Sequence, residues 1–138
     1  MSFPIILPIH SAKNANVSEG KLLRIFIGER DHLERKPLYD VIVLKAKESG
    51  IAGATVLRGV ESYGATSVIH KARILELSED LPIIIELVDT QAKIDGFIPV
   101  VQQLIEKSGC GGLITEERAK IIRYTPGNTI RSQSDQPK

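Results

Sequence analysis

The chain has 138 residues, 42% of them hydrophobic, enough for one domain with a buried core. A net charge of +1 excludes a field that would draw the whole molecule to nucleic acid or a membrane, and 4% aromatic residues with no Trp leave little for bases to stack on. The single cysteine, Cys110, excludes an internal disulfide framework and fits a reducing compartment.

Residues 1–20 read as an N-terminal extension, either an edge strand or a loose terminus. Its start, MSFPIILPIH, lacks a basic n-region and is broken by Pro4 and Pro8, so it does not read as a signal peptide. No run approaches the ~20 apolar residues of a membrane span, and a cytoplasmic protein is expected. Lys21–Gly28 (KLLRIFIG) is predicted as a strand, and Glu29–Lys36 as a charged connection. Pro37 then opens a helix with the stripe Leu38, Val41, Ile42, Ala46, closed by Ser49-Gly50. The local run Val41–Leu44 would also suit a strand.

Gly50–Asp89 is the stretch around which the chain is organised. Ala54–Gly59 (ATVLRG) and Ile83–Val88 (IIIELV) read as two strands held apart by the polar, glycine-bearing loop Val60–Pro82. Two residues would join such strands, so a loop of this length points to function. Asp89 or Thr90 can cap a second helix with the stripe Ile94, Phe97, Ile98, Val101, Leu104, Ile105, which Pro99 should kink or split. Ser108–Gly112 (SGCGG) breaks the chain. Leu113–Thr115 and Ala119–Tyr124 read as strand pieces around an acidic turn, Glu116–Arg118. The tail, residues 125–138, reads as disordered.

The order is a βαββαβ split unit: an α+β, ferredoxin-like domain over residues 21–124, with both helices on one face of an antiparallel sheet. Strand parity sorts Leu23, Ile25, Ile27, Thr55, Leu57, Ile83, Ile85 and Leu87 onto one face. Leu22, Arg24, Phe26, Ala54, Val56, Arg58, Ile84, Glu86 and Val88 fall on the other. This second face is too apolar for water and carries complementary charges in Arg24, Arg58 and Glu86. It therefore reads as a self-association surface, with cover by a chain extension as the alternative.

The chemistry-bearing residues demand no enzyme and no cofactor. His10, His32 and His70 are scattered without a second ligand at metal spacing, and neither Ser67 nor Ser108 has triad grammar around it. Three segments are richer: Gly28-Glu29-Arg30, Arg58-Gly59, and Gly64 through His70, Lys71 and Arg73. With the turn Gly109–Gly112 they combine backbone N–H groups freed by glycine with basic side chains, which suits a small anion. A solvated charged loop is the plain alternative.

At these residues the sequence resembles a known family. Gly28-Glu29-Arg30-Asp31, Pro37–Asp40 (PLYD), Ala52–Gly59 (AGATVLRG), Tyr63-Gly64, His70–Ala72 (HKA), Ser78–Pro82 (SEDLP), Val88–Thr90 (VDT) and Ile121–Tyr124 (IIRY) are similar, in order and spacing, to the PII-like family known as domain of unknown function one hundred and ninety. The resemblance covers about Lys21–Tyr124. It implies a homotrimer related to PII signalling proteins, with sheets packed around a three-fold axis, a nucleotide-type ligand between subunits, and a membrane transport protein as partner of the Val60–Pro82 loop. By position it implies ligand-binding roles for Gly64, His70, Lys71, Gly111 and Gly112, which join Glu29, Arg30, Arg58 and Gly59 of the anion segments as the candidate ligand-binding residues. Gly109–Gly112 lacks the usual Thr-Gly and Gly-Lys elements, a departure that argues against ATP binding of the PII type. A ligand-sensing regulator is the leading expectation. An enzyme using His70 as acid or base at the intersubunit cleft is the alternative. An RNA-binding module is disfavoured, because Phe26 is the only aromatic residue on the central strands.

Overall fold

A computed structural model describes residues 17–64, 69–71 and 80–127, with the backbone alone for 70 and 71. The predicted tail beyond residue 127, most of the N-terminal extension and much of the 60–82 loop lie outside the described residues. The elements are β1 (Ser18–Gly28), β2 (His32–Leu33), β3 (Lys36–Pro37), α1 (Leu38–Glu48), β4 (Thr55–Arg58), β5 (Glu61–Ser62), β6 (His70–Lys71), β7 (Pro82–Asp89), α2 (Gln91–Ser108) and β8 (Leu113–Ile121). The main sheet has the order β4-β7-β1-β8 with antiparallel neighbours throughout, the α+β ferredoxin-like arrangement predicted from the pattern.

The core forms where odd-numbered strand residues meet the helix stripes. Leu23, Ile25, Ile27, Ile83, Ile85 and Leu87 are buried against Leu38, Ile42 and Ala46 of α1 and Ile94, Phe97, Val101 and Leu104 of α2. Each such side chain contributes roughly 1.5–3 kcal/mol of transfer free energy. Helix ends follow local chemistry. Gly50 takes φ +78 after α1, a left-handed conformation that glycine adopts without a Cβ clash. The Thr90 side chain accepts the Lys93 N–H at 3.3 Å to cap α2. Asp89 is not the cap: fully buried, it accepts the N–H of Ala52 at 2.9 Å and that of Thr90 at 2.6 Å. The run Val41–Leu44 is helical, and α2 continues through Pro99 unsplit.

Three expectations are corrected. β4 pairs Val56 with Ile85 and Arg58 with Ile83, so Val56 and Arg58 lie on the helix side and Thr55 and Leu57 on the open face, the reverse of the parity assignment. Val56 and Leu57 stand side by side in a four-residue strand, which leaves no alternation to read. The register settles the matter beside the Gly59 N–H bond to the Pro82 carbonyl at 2.8 Å, and a slip of one residue inverts both faces. The predicted acidic turn Glu116–Arg118 is instead the middle of an unbroken β8, which ends at Ile121. Charge is tolerated there because β8 is an edge strand and its acids have partners: Glu117 with Arg24 at 2.7 Å, and Glu116 with Lys21 at 3.2 Å. The predicted charged connection after β1 holds the β2–β3 hairpin, with Glu34 at φ 50 and Arg35 at φ 70 in its two-residue turn.

That turn predicts a gain. Two successive positive φ values suit Asn-Gly, whereas Glu and Arg adopt them at a cost. Glu34→Asn with Arg35→Gly is expected to add about 1 kcal/mol in urea unfolding; an unchanged or lower value would show no strain in the turn. Asp89→Ala strips two backbone N–H groups of their acceptor and is expected to cost about 3 kcal/mol in the same measurement.

Candidate functional site

The end of β1, the end of β4 and the starts of β7 and β8 share one end of the sheet, because Gly28 pairs with Pro82, Phe26 with Leu113 and Arg58 with Ile83. A cavity of about 620 Å³ opens there, lined by Phe26, Ile27, Gly28, Asp31, Ser62, Tyr63, Gly64, Asp80, Leu81, Pro82, Gly111, Gly112 and Leu113. Three segments far apart in sequence thus meet within a single chain: the β1 turn, the base of the 60–82 loop and the glycine turn.

The turn after β1 differs from expectation in its chemistry. Its backbone donors are engaged: the Gly28 N–H donates to Asp31 Oδ2 at 2.8 Å, the Glu29 N–H to the Leu81 carbonyl at 2.8 Å, and the Arg30 N–H to Asp80 Oδ1 at 2.9 Å. A Cβ on Gly28 would stand 2.7 Å from Asp80 Oδ2 and 3.1 Å from Asp31 Oδ1, so glycine is required for both carboxylates to close over the turn. The His32 imidazole contacts the Arg30 carbonyl.

The remaining predicted residues are distributed around this centre. Glu29 and Arg58 do not line the cavity; they pair with each other, Oε1 to Nη2 at 2.6 Å, so the Arg58 guanidinium already has an anion. Such an exposed pair adds about 0–1 kcal/mol. Arg58 also does not join Arg24 and Glu86, as parity had suggested. Arg24 lies between Glu86 at 3.9 Å and Glu117 at 2.7 Å on the open face. Gly59 gives its N–H to Pro82 at 2.8 Å, and a Cβ there would lie 2.5 Å from Pro82 Cγ. Its role is a close approach of backbones. Gly64, Gly111 and Gly112 line the cavity, where a Cβ on Gly111 would meet nothing within 4 Å. His70 and Lys71 form β6, opposite Ser62 and Glu61.

Sequence reasoning missed Asp31, Asp80, Phe26, Tyr63, Pro82 and Leu113 as lining residues. Asp31 carried a local signal, an acid three positions after a glycine at a strand end. Asp80 carried none, because its partner is fifty residues away. A second cavity of about 480 Å³ lies at the opposite end of the sheet, lined by Ala52–Thr55, Glu86, Val88, Ile121, Arg123 and Tyr124. The Tyr124 hydroxyl donates to the Ala52 carbonyl there at 3.3 Å. No helix among the described residues is long and apolar enough to cross a membrane.

Comparison with known proteins places this geometry. The family described as "Uncharacterized ACR, COG1993" (DUF190) matches residues 20–121. A UPF0166 protein of Aquifex aeolicus is 39% identical over 106 residues, covering 77% of this chain and 96% of that one. A UPF0166 protein of Methanocaldococcus jannaschii is 36% identical over 91 residues, covering 66% and 83%. Among solved structures, CPII of Thiomonas intermedia, described as a nitrogen regulatory PII-like protein bound to ADP, AMP and bicarbonate, has the same fold. It superposes with a TM-score of 0.59 at 14% identity over 77% of this chain and 91% of that one. A Thermus thermophilus protein described as PII-like superposes with a TM-score of 0.53 at 13% identity, covering 78% and 94%. Order of elements, motifs and relatives agree: this chain belongs to the DUF190 family, whose fold is PII-like.

Proposed function

We propose that the protein is a PII-like sensor: a regulator, not a catalyst, that binds a small anionic ligand, in first place an adenine nucleotide, at the cavity between the β1 turn and the glycine turn. The observation that carries this reading is the convergence of Gly28, Gly64, Gly111 and Gly112 on one cavity of about 620 Å³, within a fold shared with a protein bound to ADP, AMP and bicarbonate. Glycine on several walls lets backbone approach a ligand closely, while Phe26, Leu113 and Pro82 offer an apolar surface to a base. Arg30 is exposed in the β1 turn between the lining residues Gly28 and Asp31, and Lys71 lies in β6 of the 60–82 loop. Ordering part of the 60–82 loop would keep affinity modest, on the order of micromolar, and would let a partner read the bound state. A membrane transport protein, met from the cytoplasmic side, is the partner that the family resemblance suggests.

The open face supports a homotrimer. Leu22, Phe26 and Ile84 are only half-buried within one chain, while Leu57, Val88 and Leu113 are exposed beside them. Unpartnered apolar surface of this kind calls for cover.

Calorimetry with ADP and AMP tests the ligand. Gly111 lines the cavity and a Cβ there would meet nothing within 4 Å, so Gly111→Leu adds bulk at the cavity wall. It is expected to weaken ADP binding at least about tenfold, roughly 1.4 kcal/mol, with an unchanged melting temperature. Equal binding by both proteins would move the ligand elsewhere, and no nucleotide binding at all would remove the sensor reading. Light scattering tests the assembly: the unmutated chain is expected as a trimer, and Leu57→Asp, which places a charge on the covered face at a cost of several kcal/mol, as a monomer. An unmutated monomer at micromolar concentration would refute the trimer.

A further inference from the structure

At the β1 turn one backbone donor, the Arg30 N–H, is taken by a carboxylate of the same chain. The N–H groups of Gly28, Glu29 and Arg30 reach three different acceptors, Asp31 Oδ2, the Leu81 carbonyl and Asp80 Oδ1, so Asp80 holds the Arg30 N–H alone. Asp31 is a neighbour in sequence, so its bond to Gly28 is a local turn closure. Asp80 is different. It comes from fifty residues away and is half-buried, and its carboxylate packs onto the bare Cα of Gly28 and takes the Arg30 N–H. No Lys or Arg side chain among the described residues forms an ion pair with it. Its hold on this position is backbone hydrogen bonding, the same hold that would receive a ligand's anion, and it lines the same cavity.

We propose that Asp80 is a built-in competitor for the site. Its carboxylate stands where the ligand's anionic group binds, so that binding displaces Asp80 at the C-terminal end of the 60–82 segment. This rests on the nucleotide reading above and adds the way occupancy is passed on. One N–H cannot serve two anions, so the ligand must take over the Arg30 N–H, and Asp80 loses its tie to the β1 turn while Leu81 keeps the Glu29 N–H and Pro82 its pairing with Gly28. Because coupling of this kind is reciprocal, whatever holds Asp80 on the Arg30 N–H weakens the ligand by the same factor that the ligand weakens Asp80.

The test is an isosteric change. Asp80→Asn keeps an oxygen for the Arg30 N–H but removes the charge, and a neutral acceptor bonds about half as strongly. By calorimetry, Asp80→Asn is expected to bind ADP about tenfold more tightly than the unmutated protein. In the unmutated protein, added ADP is expected to shift the Asp80 carboxyl carbon and the Arg30 amide in NMR spectra, and to leave Asp95, paired with Lys21 at the other end of the sheet, in place. That second measurement needs no variant to fold. ADP binding of equal or lower affinity in Asp80→Asn overturns the competitor and leaves the sensor reading intact, as does an Asp80 signal that ADP does not move. Failure of ADP to bind either protein overturns the sensor reading itself, and the competitor with it.

Discussion

The pairing of β1 with β7 is the constraint on which the rest of the molecule depends. It runs without a bulge from Lys21 opposite Asp89 to Gly28 opposite Pro82, and its odd-numbered residues form the floor of the core. Once that ladder is in register, both ends of the sheet are determined. At one end Pro82 is held beside Gly28, which brings Leu81 and Asp80 onto the β1 turn and the Gly59 N–H onto Pro82. At the other, Asp89 is pinned under the joint between α1 and β4, where it takes the Ala52 N–H. The candidate site is thus a product of strand register. A shift by one residue would scatter its parts as surely as it would invert the core.

The sequence made the fold legible where patterns are local. Helix stripes, the Gly50 stop, the Thr90 cap and the apolar strands all declare themselves within a few residues, and each is where expected. β4 and β8 were misread for one shared reason: both are edge strands. An edge strand buries too little to require alternation, as in β4, and it accepts charges that a central strand would reject, as in β8. The site was half legible. Glycines at strand ends marked the walls of the cavity, because close backbone approach leaves a compositional trace. The acceptors that satisfy those backbones left none: Asp80 meets Arg30, and Glu29 meets Arg58, only after the sheet has formed. Charge counted along the chain therefore promised an anion site more open than the folded turn presents.

The open face and the cavity are not independent surfaces. Phe26 and Leu113 belong to both: they stand on the face away from the helices and also line the cavity at its end. Whatever covers the face stands next to the cavity, so a change in these side chains alters both surfaces. At the centre of the same face Arg24 is shared by Glu86 and Glu117, leaving one carboxylate charge in excess. A covering partner must meet that charge with a donor of its own or hold it near water, which makes the face selective as well as apolar.

The Tyr124 bond to the Ala52 carbonyl has a mechanical consequence. β8 and β4 are opposite margins of the sheet, and the chain leaving β8 passes across to the segment that leads into β4. At that end the two margins are linked, so unzipping the C-terminal strand from β1 also breaks this bond, about 1 kcal/mol. Peeling it away requires letting go of the α1–β4 joint as well. β8, synthesised after β4, thereby closes onto a segment made earlier, and the two margins of the sheet are coupled at this end and, among the described residues, not at the other.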